Sequence, residues 1–508
     1  MPPSSWDPEP EVTWVPFFAD SGWFSYFRAM HAMRSSVLSI LLLPISGIAQ
    51  MPTIDWDPVQ DCNISGQGAL RPRITTIPSG DAVVLWGSSG PAGNWVAIGG
   101  SAGFSSPIEL SGPGVVPSVA DWMGSSVASV GNTVWVVMKT EPEESSPIYA
   151  RRSDDGGWTW GDTVRVDPPD GLVSRFPSIA VVDPDRPIVQ YMQFDFGWSG
   201  ARQAVTHMQG GAFMPPVPVS TPFTGGEVCD CCPNQVLARN DEVVALYRNA
   251  FNNERVMWGA RSNDQAVTFP LGAMLDTTGW ILNACPSSGP SGYMFGDSLR
   301  YVWMSGAANG TKVYVGTAAV SDLSIGDHRL VHPGQALNQS QNFPRIAGSG
   351  DTLGVVWEQF EAGARDIYFS WSVSGPGGLS VPERVNIDMA GSQRTPDLAY
   401  ANGAFHIIWS EMGSDQVRYR RGVLSTATAV QEQDQLAALA LADLGGGRYQ
   451  LLNGPWTRVQ VVDVHGRSVV DHRLSNDRMD LSALTTGLYL IRAEASDGRW
   501  ARAKVYNH

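Results

Sequence analysis

Short apolar runs, rather than helical faces, set the hydrophobic pattern of this chain. Ala82-Val-Val-Leu-Trp86, Thr133-Val-Trp-Val-Val137, Leu353-Gly-Val-Val-Trp357 and Phe405-His-Ile-Ile-Trp409 are typical, each preceded within two residues by Gly, Asn or Asp. Runs of this kind predict short strands. They fall within a recurring unit. A leading strand containing proline is followed by a Gly/Asn/Asp hairpin, then the apolar run, then one or two further strands. The leading prolines are Pro72, Pro117, Pro177, Pro233, Pro286, Pro344 and Pro396. Arg71-Pro-Arg-Ile74, Arg175-Phe-Pro-Ser-Ile179, Asn342-Phe-Pro-Arg-Ile346 and Arg394-Thr-Pro-Asp-Leu398 show the local likeness. A repeat of roughly 45–60 residues with four strands predicts propeller blades. Seven blades are favoured, with six as the alternative. The last unit stops near Gly422 after three strands, so its outer strand is expected from within Thr53 to Asp61, which would leave no open sheet edge.

Ser153-Asp-Asp-Gly-Gly-Trp-Thr-Trp160 fixes the phase of the repeat. Asp155 can accept backbone N–H bonds inside such a turn, and Gly157 can take a positive φ. Ser153 and Thr159 can bond locally, and Trp160 can bury its ring beneath the turn. Ser262-Asn-Asp-Gln-Ala-Val-Thr-Phe269 and the stretch from Tyr368 to Gly378 read as decayed versions in the fourth and sixth units. The octapeptide resembles the Asp-box of sialidase-like (BNR) β-propellers, which implies a blade with the hairpin at its outer end.

Composition agrees with many short strands: 54 Gly, 35 Pro and 19 Trp, with 16% charged residues. A net charge of −15 disfavours nucleic acid or an anionic membrane as partner. Arg34 followed by an apolar run and small residues up to Gln50 predicts a secretory signal peptide over 33–50, too short to span a bilayer. Residues 1–32 then read as an extension upstream of the true start. The propeller is expected over 51–423 and a linker over 424–436. Residues 437–508 alternate as a small β-sandwich, making the chain all-β throughout. Val459-Gln-Val-Val-Asp-Val-His-Gly-Arg467, Leu481-Ser-Ala-Leu-Thr-Thr-Gly-Leu-Tyr489 and a terminal strand holding Lys504 resemble the C-terminal sorting domain of type IX secretion cargo. That resemblance implies passage across the outer membrane and a secreted or surface location, with the type IX machinery as partner. The chain is expected to be a monomer, not an integral membrane protein, and to need no cofactor.

Chemistry concentrates in two sets of residues. Cys229-Asp-Cys-Cys-Pro233 and Cys285-Pro286 place Cys232 and Cys285 before leading prolines of neighbouring units, so a Cys232–Cys285 disulfide is the favoured pairing in an exported protein. Cys62 with Cys229 or Cys231, a vicinal Cys231–Cys232 bridge, and a metal set of Cys229, Cys231, Cys232 and Cys285 stay open. The second set comes from the sialidase resemblance. True sialidases hold a carboxylate with three arginines and use a tyrosine primed by a glutamate, with an aspartate as acid/base. Arg73, in Arg-Pro-Arg-Ile, resembles the first of these arginines with its proline displaced. Arg248 and Arg345 are the candidates for the other two, and Tyr419 with Glu254 or Glu411 for the nucleophile pair. Arg345 shares the repeat position of Arg73, so it also reads as a scaffold arginine at the axis. No suitable Asp follows in the first unit, since Asp81 sits at a hairpin tip and the next is Asp121. The resulting expectation is an exported propeller that binds glycan or a related polymer at its axial face, near Arg73, Arg175, Arg248 and the cysteine loop. Exo-acting hydrolysis of an acidic sugar and a protein-binding propeller are the alternatives. His406 reads as a core residue. Asn63-Ile-Ser and Asn309-Gly-Thr match a glycosylation pattern that this export route argues against.

Overall fold

In the computed structural model the repeat becomes seven four- or five-stranded antiparallel sheets. The structure describes residues 52–507 except 65, 113, 224–226, 334–338, 362, 426–436, 465–466 and 497–498. The expected signal peptide and the extension before it lie outside the described residues, as does most of the expected linker. The innermost strands are Leu70–Thr76, Ser126–Val130, Val173–Val181, Gln235–Arg239, Ser291–Phe295, Ser340–Ser349 and Gln393–Ala401. Each contacts the innermost strand of the next sheet, and Gln393–Ala401 contacts Leu70–Thr76, which closes the ring. Ring closure also uses the chain's early residues. Thr53–Trp56 pairs with the third strand of the last blade in the register Thr53↔Ser425 to Trp56↔Gly422, and Gln60–Asp61 pairs further along it.

The core consists of the gaps between blades. Val83, Leu85 and Ile98 of the first blade meet Val134, Val136 and Met138 of the second. Val356, Ile367 and Phe369 of the sixth meet Phe405, Ile407 and Trp409 of the seventh, with Trp56 of the closing strand against them. Second strands such as Thr133–Lys139 and Ala404–Glu411 are buried on both faces along their whole length. That is why they read as continuous apolar runs rather than alternating ones. Trp86, Trp303, Trp357 and Trp409 fill these gaps.

The leading prolines mark something more specific than a strand start. In the first, third, sixth and seventh blades the inner strand carries an irregularity in register, at Leu70/Arg73, Arg175/Ser178, Asn342/Arg345 and Arg394/Asp397. The residue before each proline, Arg71, Phe176, Phe343 or Thr395, has φ between 47° and 51°. A bulge tolerates proline because no ladder N–H is needed there. The remaining three units depart from the expected pattern. Register aligns Gln235 and Ser291 with Arg73, so Pro233 lies two residues before that position, and the proline equivalent to Pro72 is Pro290, not Pro286. Pro117 precedes its strand, bridged to Thr140.

The outer hairpin of the second blade forms the expected bonds. Asp155 accepts from the Thr159 backbone N–H (2.9 Å) and hydroxyl (2.7 Å), and Gly157 N–H donates to Ser153 Oγ (2.8 Å). Trp160 packs against the gap between the first two blades. The fourth blade repeats these bonds around Asp264, with Ala266 at φ 69° in place of the glycine. In the sixth blade Ser374 stands in the aspartate position, so the bonds to Ser372 remain and those from a threonine to a carboxylate are lost. The C-terminal segment forms a five-stranded and a three-stranded sheet around Leu451, Trp456, Val461, Leu481 and Ile491.

Burial raises the Asp155 carboxyl, but the bonds from Thr159 and Ser153 together outweigh it and hold it below the ordinary aspartate range. A depressed carboxylate stabilises the fold above its unfolded pKa of about 3.9, and that contribution is lost as pH falls through the lower folded value. Asp155→Ala should therefore lower the urea midpoint at pH 7 by an amount equivalent to about 1 kcal/mol, and by less at pH 3.

Candidate functional site

Antiparallel order places the starts of the inner strands at the same end of the propeller as the loops joining second to third strands. At that end, on the axis, lies a cavity of about 120 Å³ lined by Arg71, Arg73, Trp122, Phe176, Arg345 and Asp397 among others. Each blade directs one inner-strand residue of equivalent register toward this axis: Arg73, Ser126, Ser178, Gln235, Ser291, Arg345 and Asp397. Four of these accept a backbone N–H from the next blade. Asp397 accepts from Ile74 (3.1 Å), Ser178 from Val236 (3.0 Å), Gln235 from Gly292 (2.8 Å) and Ser291 from Ile346 (3.3 Å).

Arg73 and Arg345 occupy ring positions but carry only donors. Asp397 partners Arg345 at 3.5 Å. Arg73 donates to the Pro72 carbonyl, and Arg71 to the Asp121 carbonyl while its guanidinium lies 4.8 Å from the Phe343 ring centre. Neither Arg71 nor Arg73 has a carboxylate partner among the described ion pairs. Burial, then the neighbouring Arg345, pulls Arg73 down to about 9, with Asp397 opposing. Burial and the adjacent Arg73 and Arg345 charges push Arg71 down as well. Nearby, Arg394 pairs with Asp121 and sits 3.5 Å from the buried Glu358. Glu358 also takes bonds from Thr395 N–H and Arg365. Trp122, 42% exposed, stands at the mouth.

The other sialidase-type assignments are not brought to this cavity. Arg248 is fully buried between the fourth and fifth blades, where it donates to the carbonyls of Ser288, Arg255 and Met304. Its three nitrogens each donate to one of these converging carbonyls, which fixes it away from the cavity. Tyr419 lies in the core of the seventh blade with its hydroxyl 2.8 Å from His406 Nδ1, and burial pushes its pKa up. It borders a separate cavity formed by Gly80, Asp81 and Asn402, at the end where first and second strands turn. Glu254 bridges to Ile281 beside the cysteine loop, and Glu411 pairs with Arg418. A tyrosine–glutamate pair beside the arginines is therefore not assembled among the described residues. Arg175 is engaged by Glu143 at 2.7 Å. Asn63 is buried, its side chain bonded to Gly68, Asp415 and Val417, so it is no glycan acceptor.

The cysteine pairing also differs from expectation. The disulfide joins Cys231, not Cys232, to Cys285. Cys232 N–H donates to the Cys229 carbonyl (3.2 Å), a turn that sends Cys229 and Cys232 inward while Cys231 faces the Cys285 loop. The unit offset at Pro290 removes the equivalence that suggested Cys232. Cys229, Cys232 and Cys62 are free and buried.

Two cavity residues absent from the sequence expectations, Arg71 and Asp397, had a signal. Arg-Pro-Arg, Phe-Pro-Arg and Thr-Pro-Asp align on their prolines, which puts Asp397 level with Arg73 and Arg345. Trp122 and Glu358 had none.

No curated protein matches the chain in sequence. Among solved structures, the polysaccharide lyase Uly1 is similar with a TM-score of 0.45 and 11% identity over 71% of this chain and 90% of its own. An alpha-L-arabinanase of Penicillium chrysogenum gives 0.40 and 14%, over 73% and 99%. A Trypanosoma rangeli sialidase gives 0.38 and 10%, over 90% and 89%. Residues 450–506 match the family described as "Secretion system C-terminal sorting domain". Among the described residues no helix is long and apolar enough to cross a membrane. The chain is a seven-sheet β-propeller followed by a secretion-system C-terminal sorting domain, which marks it for the cell surface or the extracellular space.

Proposed function

We propose that the exported propeller binds a glycan or related polymer at its axial face, by an acidic group of that polymer. The observation that carries this reading is the pair of guanidinium groups, Arg71 and Arg73, that border a polar axial cavity with no carboxylate partner among the described residues. Like charges held together and partly desolvated gain from an incoming anion. Planar guanidinium groups suit a carboxylate or sulfate in bidentate fashion. Trp122 at the mouth offers an aromatic face on which the adjoining ring can stack. Binding is favoured over hydrolysis because Tyr419, Glu254 and Glu411, the residues matched to a nucleophile pair, all sit elsewhere.

A glycan array probed with the exported protein should select carboxylated or sulfated glycans over neutral ones. Arg73→Ala should weaken binding of a selected glycan by roughly 10–100-fold, the loss of a charge-assisted hydrogen bond pair. Retention of neutral glycans alone, or an unchanged affinity in Arg73→Ala, would contradict the proposal.

Deleting residues 437–508 should leave the folded propeller in the periplasm of its host. Cell fractionation checks this, and normal surface display of the shortened chain would separate export from the tail.

A further inference from the structure

The cysteine turn lies at the same end of the propeller as the axial cavity, and the binding reading does not use it. Its sulfurs are unusually crowded. Cys229 Sγ is 2.9 Å from Cys232 Sγ and 3.6 Å from Cys231 Sγ, which is itself bonded to Cys285. Cys229 and Cys232 are sealed from solvent, Cys231 is half-buried and Cys285 is exposed. The site therefore holds a buried dithiol pressed against a disulfide whose far sulfur faces solvent. We propose that Cys229, Cys231, Cys232 and Cys285 form a thiol–disulfide exchange site that moves the cross-link from Cys231–Cys285 to Cys229–Cys232 and delivers a reactive thiol at Cys285.

The chemistry balances within the chain. The Cys229 thiolate forms a bond to Cys231 Sγ as the Cys231–Cys285 bond breaks. The electron pair leaves on Cys285, which takes a proton from solvent. Cys232 then gives its proton to solvent and attacks Cys229 Sγ. Cys231 departs as a thiolate and is protonated in turn. One disulfide is broken and one formed, two thiols disappear and two appear, so no outside oxidant or reductant takes part.

The surroundings assign the roles. Thiolates, not thiols, attack disulfides. A hydrogen bond from Cys232 pulls Cys229 down to about 7 against burial, helped by the Arg248 and Arg255 guanidinium groups and the Cys231 backbone N–H. Burial, and then Cys229 itself, push Cys232 up, so it keeps its proton until the second step. The buried Arg248, idle as a ligand for substrate, thus acquires a use in holding the Cys229 charge. A four-thiolate metal site fits less well, because two sulfurs 2.9 Å apart are closer than ligands of one ion at metal–sulfur distances of about 2.3 Å in a tetrahedron. With the cross-link moved, the segment around Cys285 is no longer tied to the turn, and its thiolate can attack a disulfide outside the chain, one partner sulfur leaving as a thiol.

The test is alkylation of the full exported chain without any reductant, followed by tryptic mapping. Cys229, Cys231 and Cys232 fall in the peptide 203–239 and Cys285 in 262–300, so the starting disulfide joins two peptides and the product joins none. Cys285 should become alkylated as the joined peptide disappears, about tenfold or more faster at pH 8 than at pH 5.5. Cys229→Ser and Cys229→Ala should each slow this labelling by about tenfold or more, while Cys62→Ser leaves it unchanged. An unlabelled Cys285 in the unmutated chain, labelling that does not respond to pH, or equal labelling in the Cys229 variants would overturn the proposal.

Discussion

A ring of hydrogen bonds around the propeller axis holds the site in place. One inner-strand side chain from a blade accepts the backbone N–H of the next, through Asp397, Ser178, Gln235 and Ser291. Blade gaps filled by Val, Ile and Trp supply non-directional burial, which alone would let neighbouring blades slide. The axial bonds are directional and set the register between sheets. They require an acceptor at each position where they form. Arg73 and Arg345 stand in the same ring without one, so the ring is interrupted there and a cationic cavity results.

Backbone strain concentrates at this same end. Arg71, Phe176, Phe343 and Thr395 all adopt left-handed φ just before a proline, a conformation that costs about 1–3 kcal/mol for a residue with a side chain. Four such residues in one ring are maintained because each bulge re-aims the inner strand. Arg71 is thereby laid over Phe343 at the cavity rather than along its own sheet. The cysteine turn lies at the same end, where the fourth and fifth units carry their leading residues out of phase with the others.

The fold was legible because propeller blades impose local chemistry. Strands buried on both faces must be apolar throughout, bulges accept proline, and the outer hairpin needs Ser, Asp and Thr at fixed offsets. The closing strand at Thr53–Trp56 followed from counting strands in the last unit. The site was legible only in part. Arg73 and Arg345, named from the sequence, do line the axial cavity, whereas Arg248 is buried between blades away from it. Tyr419 was misplaced because sequence does not say to which end of a blade a mid-strand side chain is exposed. The cysteine partner was missed by a single residue: a turn within four residues decides which sulfur faces inward, and no periodicity reports it.

Asp397 links the scaffold to the site, since it both bonds the seventh blade to the first and offsets the positive charge of the cavity. Its conversion to asparagine keeps an acceptor for Ile74 and removes the charge. Calorimetric titration of Asp397→Asn with an acidic glycan, beside its thermal unfolding, tests the account most directly. Binding should tighten by about fivefold or more while stability falls by about 2 kcal/mol, because Arg345 loses its partner. Weaker or unchanged binding in a folded Asp397→Asn chain would contradict an anion site built on Arg71 and Arg73.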